Sequence, residues 1–237
     1  MKITIFIILL LIVIFIYLNY YKPYKKFNEY DKYYYINLDD RLDRKKQILQ
    51  QLKKYNLPES KIKRLSASKY NLNGHIGCAY SHKRCLEDAL QNNYDIVIIF
   101  EDDFLFKLSE DNINNILEEL YNIHGNDWDV LQLSSYHKKI KKSNSRIKPV
   151  IHATTSSGYI IQKHFYQKLI NDLNQSIYKM QKEMLQHILN NGLIKKRETP
   201  YALDQHWRHL QNKSKWFITY PYIGTQGGDA GTSSIMS

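Results

Sequence analysis

The sequence predicts an α/β sandwich on a mostly parallel central sheet, and three observations carry that expectation. Apolar runs of strand length alternate along the chain with stretches whose apolar residues recur at three- and four-residue steps. Such alternation puts helices on the faces of a sheet. Two polar clusters, Asn37–Arg41 and Glu101–Asp103, come directly after apolar runs. Open sheets of this kind hold ligands there, beyond the carboxyl ends of their strands. Finally, 237 residues with 43% hydrophobic and 13% aromatic content suffice for one packed domain.

The elements run in order along the chain. Lys32–Leu38 (KYYYINL) is β-branched and aromatic and is expected as the first buried strand. Leu42–Tyr55 carries Ile48, Leu49, Leu52 and Tyr55 at helical spacing, and Pro58 closes it. Lys61–Leu65 is a short second strand. Gly74–Asn92 turns helical with an apolar stripe through Cys78, His82, Cys85, Leu86 and Ala89, and Asp95–Phe100 (DIVIIF) is a continuous apolar strand. A helix is expected over Asn112–Ile123, a strand over Asp129–Leu133, a basic loop over Ser134–Pro149 and a strand over Gly158–Ile161. Helices at His164–Leu173 and Ile177–Asn190, a helical turn at Ala202–Leu210 and a strand at Trp216–Tyr222 complete the domain. The tail from Gly224 to Ser237 is rich in Gly, Ser and Thr.

Ahead of this domain, Ile3–Leu18 is apolar apart from Thr4 and Tyr17. With its aromatic edge the run approaches the roughly 20 residues of a membrane-spanning helix, and Tyr17, Tyr20 and Tyr21 suit an interfacial belt. A cleavable signal needs small residues at its cleavage site, and no Ala, Gly or Ser precedes Ser60. The expected organisation is therefore a single-pass membrane anchor over residues 1–22, a tether over 23–31 and a domain over 32–237. Lys2 and the α-amino group oppose Lys22, Lys25 and Lys26, so charge leaves the orientation open.

The net charge of +11 invites anionic partners. It is gathered in runs such as Lys53–Lys54, Lys138–Lys148 and Lys195–Arg197, which read as solvated faces. No zinc finger or RNA-binding sheet signature accompanies them, so no nucleic-acid partner is expected. Cys78 and Cys85 stand about 10 Å apart on a helix, too far for a disulfide, and are expected as small core residues.

Three adjacent carboxylates directly after a buried strand are costly unless a cation or hydrogen bonds compensate them. Oxygen ligands suit Mg²⁺ or Mn²⁺ held together with substrate phosphates. The acid-x-acid spacing of Glu101 and Asp103 fits such an ion against a diphosphate. Asp102 either joins them or faces a donor sugar or a backbone amide.

Six segments in order resemble glycosyltransferase family 25, which includes lipooligosaccharide and collagen galactosyltransferases: YYINLDDRLDRK (Tyr34–Lys45), GHIGCAYSHKRCLEDAL (Gly74–Leu90), IVIIFEDD (Ile96–Asp103), TSSGYIIQKHFYQKLI (Thr155–Ile170), ALDQHW (Ala202–Trp207) and a tail with Gln226 and Ser234–Ile235. Phe100 stands where the family usually has Leu, and the tail with Gly227, Gly228 and Gly231 is looser than the family pattern. The resemblance implies a GT-A-type nucleotide-binding sandwich. It also implies a UDP-sugar donor, galactose or glucose first, a glycan or protein acceptor, inversion at the anomeric carbon, and Mn²⁺ or Mg²⁺.

On that footing Glu101, Asp102 and Asp103 are the expected metal–diphosphate ligands, and Asp204 the base that deprotonates the acceptor hydroxyl, unless it only caps its helical turn. Asn37, Asp39, Asp40 and Arg41 are expected to border the nucleotide. Arg44 pairs either with phosphate or with a neighbouring carboxylate. Ser81 and His82 match the family's Ser-His pair, with His82 either a donor contact or a hydrogen-bonded core residue. Gly158 comes after small residues that let backbone approach a ligand, and Gln226 helps close the site. His206 or His209 is either a late metal ligand or a solvated helix residue. The competing expectation is a transferase fold that has lost turnover and serves as a binding or scaffolding protein.

Overall fold

The computed structural model describes residues 2–20, 24–136, 138–192 and 199–227. Its centre is an eight-stranded sheet. In chain order the strands are β1 (Lys32–Asn37), β2 (Ile62–Ser66), β3 (Ile96–Glu101), β4 (Phe104–Phe106), β5 (Val130–Gln132), β6 (Lys138–Ile140), β7 (Ile147–Ala153), β8 (Gly158–Gln162), β9 (Trp216–Thr219) and β10 (Gly224–Gln226). The sheet order is β2-β1-β3-β8-β5-β9-β7-β6, and β4 pairs with β10 in a separate two-stranded sheet. Among the eight, only β8 and β7 run against the others. The expected α/β architecture on a mostly parallel sheet is thus the observed one.

The helices are α1 (Lys2–Tyr20), α2 (Leu42–Lys54), α3 (Gly74–Gln91), α4 (Glu110–His124), α5 (Lys163–Asn191), α6 (Leu203–His206) and α7 (Arg208–Gln211). Successive strand residues point to opposite faces, and here both faces are buried. In β3, Val97 and Ile99 join α3 and α5 in one core, whereas Ile96, Ile98 and Phe100 join α2 and α4 in the other. β1 divides likewise, with Tyr34 and Ile36 to the first core and Tyr33 and Tyr35 to the second. Burial on both sides is why these strands read as continuous apolar runs.

Three expectations are corrected. First, no helix among the described residues is long and apolar enough to cross a membrane, so the single-pass anchor and the membrane localisation are withdrawn. Second, the basic loop contains β6 and β7, because Ile147 and Val150 are buried in opposite cores where β7 pairs with β9, and β6 adds to the free edge of β7. Third, the two helices expected after β8 are one, α5, since no Gly or Pro interrupts them and buried Ser176 donates its hydroxyl to the Tyr201 carbonyl (2.7 Å).

Candidate active site

The carboxyl ends of β1, β2 and β3 lie at one edge of the sheet, closing on Asn37, Ser66 and Glu101. Because β8 runs antiparallel to β3, it contributes its amino end to that edge: Gly158 faces Phe100, and the Glu101 amide donates to the Ser157 carbonyl (2.9 Å). A cleft of about 470 Å³ opens there, lined among others by Asn37, Arg44, Tyr70 and the Glu101–Asp103 triplet.

Each carboxylate of the triplet is held differently. Glu101 accepts hydrogen bonds from the Ser156 hydroxyl and from His82 Nε2 (3.3 Å). The other His82 nitrogen, Nδ1, faces the Tyr159 hydroxyl at 3.0 Å, which fits a chain in which Tyr159 donates to His82 and His82 to Glu101. Burial works to raise the Glu101 pKa, but His82, Ser156 and Arg44 outweigh it and hold the group below its ordinary range. Asp102 accepts from Asn37 Nδ2 (2.8 Å) and pairs with Arg44 Nη1 (3.3 Å). Burial still leaves it raised, against the pull of Asn37 and Arg44. Asp103 Oδ2 accepts from Gln226 Nε2 (3.1 Å) and faces Arg44 Nη1 at 3.4 Å. Its buried Oδ1 accepts no hydrogen bond among the described residues. Burial first, and then the charge of Glu101, push Asp103 up to about 7.

Arg44 therefore does what the second of its two expected roles required. It lies buried in the first turns of α2 and reaches across to Asp102 and Asp103. Asn37 is completely enclosed, donating to Asp102 while its own oxygen accepts from Arg64 Nε (3.1 Å). Asp40 and Arg41 line the outer cleft and are paired with Lys69 and Asp43. Asp39 lies outside the cleft lining, bound to Arg64 and Ser66. Ser81 lines the cleft but is spent internally, donating to the Gly77 carbonyl (2.7 Å) and accepting from the Ser68 amide (2.9 Å). His82 is fully buried behind Glu101.

Gly158 owes its small size to packing: a Cβ there would stand 2.5 Å from the Phe104 ring. Cys78, expected in the core, lines the cleft, while Cys85 is buried as expected. The tail residues Gly228, Gly231 and Ser234–Ile235, and the run Lys195–Arg197, lie outside the described residues.

Asp204 does not cap its helix. Ala202 occupies the cap position, and Asp204 instead accepts the Thr155 amide (2.9 Å) from the loop before β8. Burial chiefly, with the nearby Glu101 charge added, raises its pKa. Asp204 is partly buried and is not among the residues lining this cleft.

Thr155 was not foreseen as a site residue. It sits at φ +76°, a left-handed conformation costly for a β-branched residue. Three contacts hold it, its amide to Asp204, its carbonyl to Gln132 Nε2 (2.7 Å) and its hydroxyl to Gln226 Oε1 (3.0 Å), and Gln226 bonds onward to Asp103. No local pattern announces such a residue, since its partners lie 23, 49 and 71 positions away. Gln226 reaches the site because β10 pairs with β4, directly after the triplet.

Residues 57–185 match the family model described as glycosyltransferase family 25 (LPS biosynthesis protein), which is more than half of the chain and includes α3, the triplet and β8. No curated protein matches the chain. Among solved structures, a mannose-1-phosphate geranyltransferase from Thermus thermophilus aligns over 83% of this chain and 74% of its own, at 6% identity and a TM-score of 0.44. A197 from STIV aligns over 85% and 95%, at 11% identity and 0.41. A glycosyltransferase involved in glycosylation of the major capsid of PBCV-1 aligns over 80% and 92%, at 8% identity and 0.41.

Proposed function

This chain belongs to glycosyltransferase family 25, and on that premise we propose that it moves a hexose, galactose or glucose first, from a UDP-sugar to an acceptor hydroxyl with inversion. The observation that carries the reading is the cleft at the carboxyl edge, where Glu101, Asp102 and Asp103 crowd around one arginine and Asp103 keeps a buried oxygen unbonded. The residues fit a divalent ion: an orphaned carboxylate oxygen, and a carboxyl pushed up to about 7 by burial and by the Glu101 charge, are what a cation would satisfy. Glu101 and Asp103, with Asp102 beside them, would hold Mn²⁺ or Mg²⁺. Such an ion supplies Lewis-acid stabilisation to the departing diphosphate.

The protein's own groups supply the rest. Arg44 keeps Asp102 and Asp103 together and adds a fixed positive charge at the same edge. Arg41, Asp40, Lys69 and Tyr70 form the outer wall, which suits a nucleotide. Gln226 and Thr155 bind the closing segment to the triplet. Asp204 takes the acceptor proton; a raised pKa suits a general base.

The test is a screen of UDP-sugars with the purified chain and Mn²⁺, reading release of UDP, with the anomeric configuration of the product read by NMR. Turnover with one UDP-hexose is expected. If no donor turns over while UDP-sugar still binds, the protein is instead a transferase-fold binding protein.

A further inference from the structure

Outside the cleft, one cluster has no part in the chemistry above. Asp172 lies in the middle of α5, His206 ends α6, and His209 sits in α7 one turn on. None of the three lines the cleft. Asp172 is 2% exposed, His206 is 5% exposed, and His209 is half-exposed at the surface. His206 Nδ1 stands 3.1 Å from Asp172 Oδ1, and His209 Nε2 stands 3.2 Å from the same oxygen. The two imidazole rings are nearly perpendicular, at 84°.

His206 is satisfied, its Nδ1 donating to Asp172 Oδ2 (3.1 Å), but the protons around His209 do not add up without a further positive charge. His209 Nδ1 lies 2.7 Å from the His206 carbonyl, which can only accept, so Nδ1 carries the hydrogen. In the neutral ring, Nε2 is then a bare lone pair facing a buried carboxylate oxygen. A proton on Nε2 would relieve this by bonding to Oδ1, yet that oxygen is buried and accepts no aligned hydrogen bond among the described residues. The three ligand atoms lie within 4.8 Å of one another. With metal–ligand bonds of about 2.1 Å, a tetrahedral ion spaces its ligands about 3.4 Å apart. The two contacts to Asp172 are close to that spacing.

We propose that Asp172, His206 and His209 form a metal site of the Zn²⁺ class, separate from the cleft, with one carboxylate oxygen and two imidazole nitrogens as ligands and solvent in the fourth position. His206 Nε2 now lies 3.0 Å from Lys179 Nζ, so it serves as an acceptor while Nδ1 carries the proton. Binding through Nδ1 moves that proton to Nε2, gives up its hydrogen bond to Asp172 Oδ2 and turns Lys179 away. Moving Lys179 is inexpensive, because it is exposed and already lies near the Tyr201 ring (5.6 Å), and the ion takes the place of the lost hydrogen bond on the Asp172 carboxylate. No proton has to leave the protein. The bound ion would join α5 to the short helices that carry Asp204, making it a positioning device for that residue.

The experiment is Co²⁺ titration of the full chain, reading the visible absorption of four-coordinate cobalt, with Zn²⁺ as the displacing ion. A saturable band that Zn²⁺ abolishes is expected. His209→Ala, at a half-exposed position that should not unsettle the fold, weakens cobalt at least about 100-fold, since even residues that only orient metal ligands cost 10- to 100-fold. Asp103→Asn leaves the band in place. The proposal is overturned if the wild-type chain gives no such band, if His209→Ala keeps it, or if Asp103→Asn removes it and so puts the cobalt in the cleft.

Discussion

Asp103→Asn should make the protein more stable at neutral and alkaline pH in the absence of divalent ions. Asp103 is raised from an ordinary 3.8 to about 7, so folding favours its protonated form. The sign comes from linkage: its contribution is fully present below about pH 4 and is lost as pH rises through about 7. A shift of about 3 units at about 1.4 kcal/mol each gives a ceiling of about 4 kcal/mol lost by pH 8. Asparagine mimics the protonated acid and avoids that loss. For a chain of this length each kcal/mol moves the midpoint by about 2–4 °C, so the variant should melt up to roughly 8–16 °C higher than wild type at pH 8 with chelator. At pH 4 the two should melt together. Mn²⁺ should raise the wild-type midpoint at pH 8 and leave the variant's nearly unchanged. Thermal melts by circular dichroism at the two pH values decide it. An unchanged midpoint at pH 8, or an equal gain at pH 4, would show that Asp103 is not a strained, charge-starved group.

Three further outcomes are expected. Arg44→Ala leaves Asp102 and Asp103 buried without their shared cation, which should cost about 3–5 kcal/mol; a denaturation midpoint measured at pH 7 checks it. Gly158→Ala drives a methyl into the Phe104 ring and should destabilise by about 1–3 kcal/mol, with UDP-sugar affinity per folded molecule retained. Asp204→Asn should lower transfer about 10²- to 10⁴-fold while UDP-sugar binding by calorimetry stays intact; full transfer activity would remove Asp204 as the base.

Much of this arrangement is legible in the residues themselves. The DIVIIF run became β3 because a strand buried on both faces has to be apolar throughout, and the polar triplet after it marks the strand's end. What stayed hidden involves distant partners. Ser134–Pro149 read as a loop because its lysines mask a strand whose Ile147 is buried only through pairing with β9. Gly158 read as a ligand approach when its neighbour is an aromatic ring from β4.

The sequence alone determined the α/β class, the edge of the sheet where the cleft opens and the acidic residues that line it, because each is written in local periodicity and in the residues directly after a strand. Tertiary structure decided which charges meet. Arg44 faces Asp102 and Asp103 across 58 and 59 positions, Gln226 faces Asp103 across 123, and Thr155 faces Asp204 across 49. Electrostatic energy depends on distance and burial in space, and a linear order of residues carries neither.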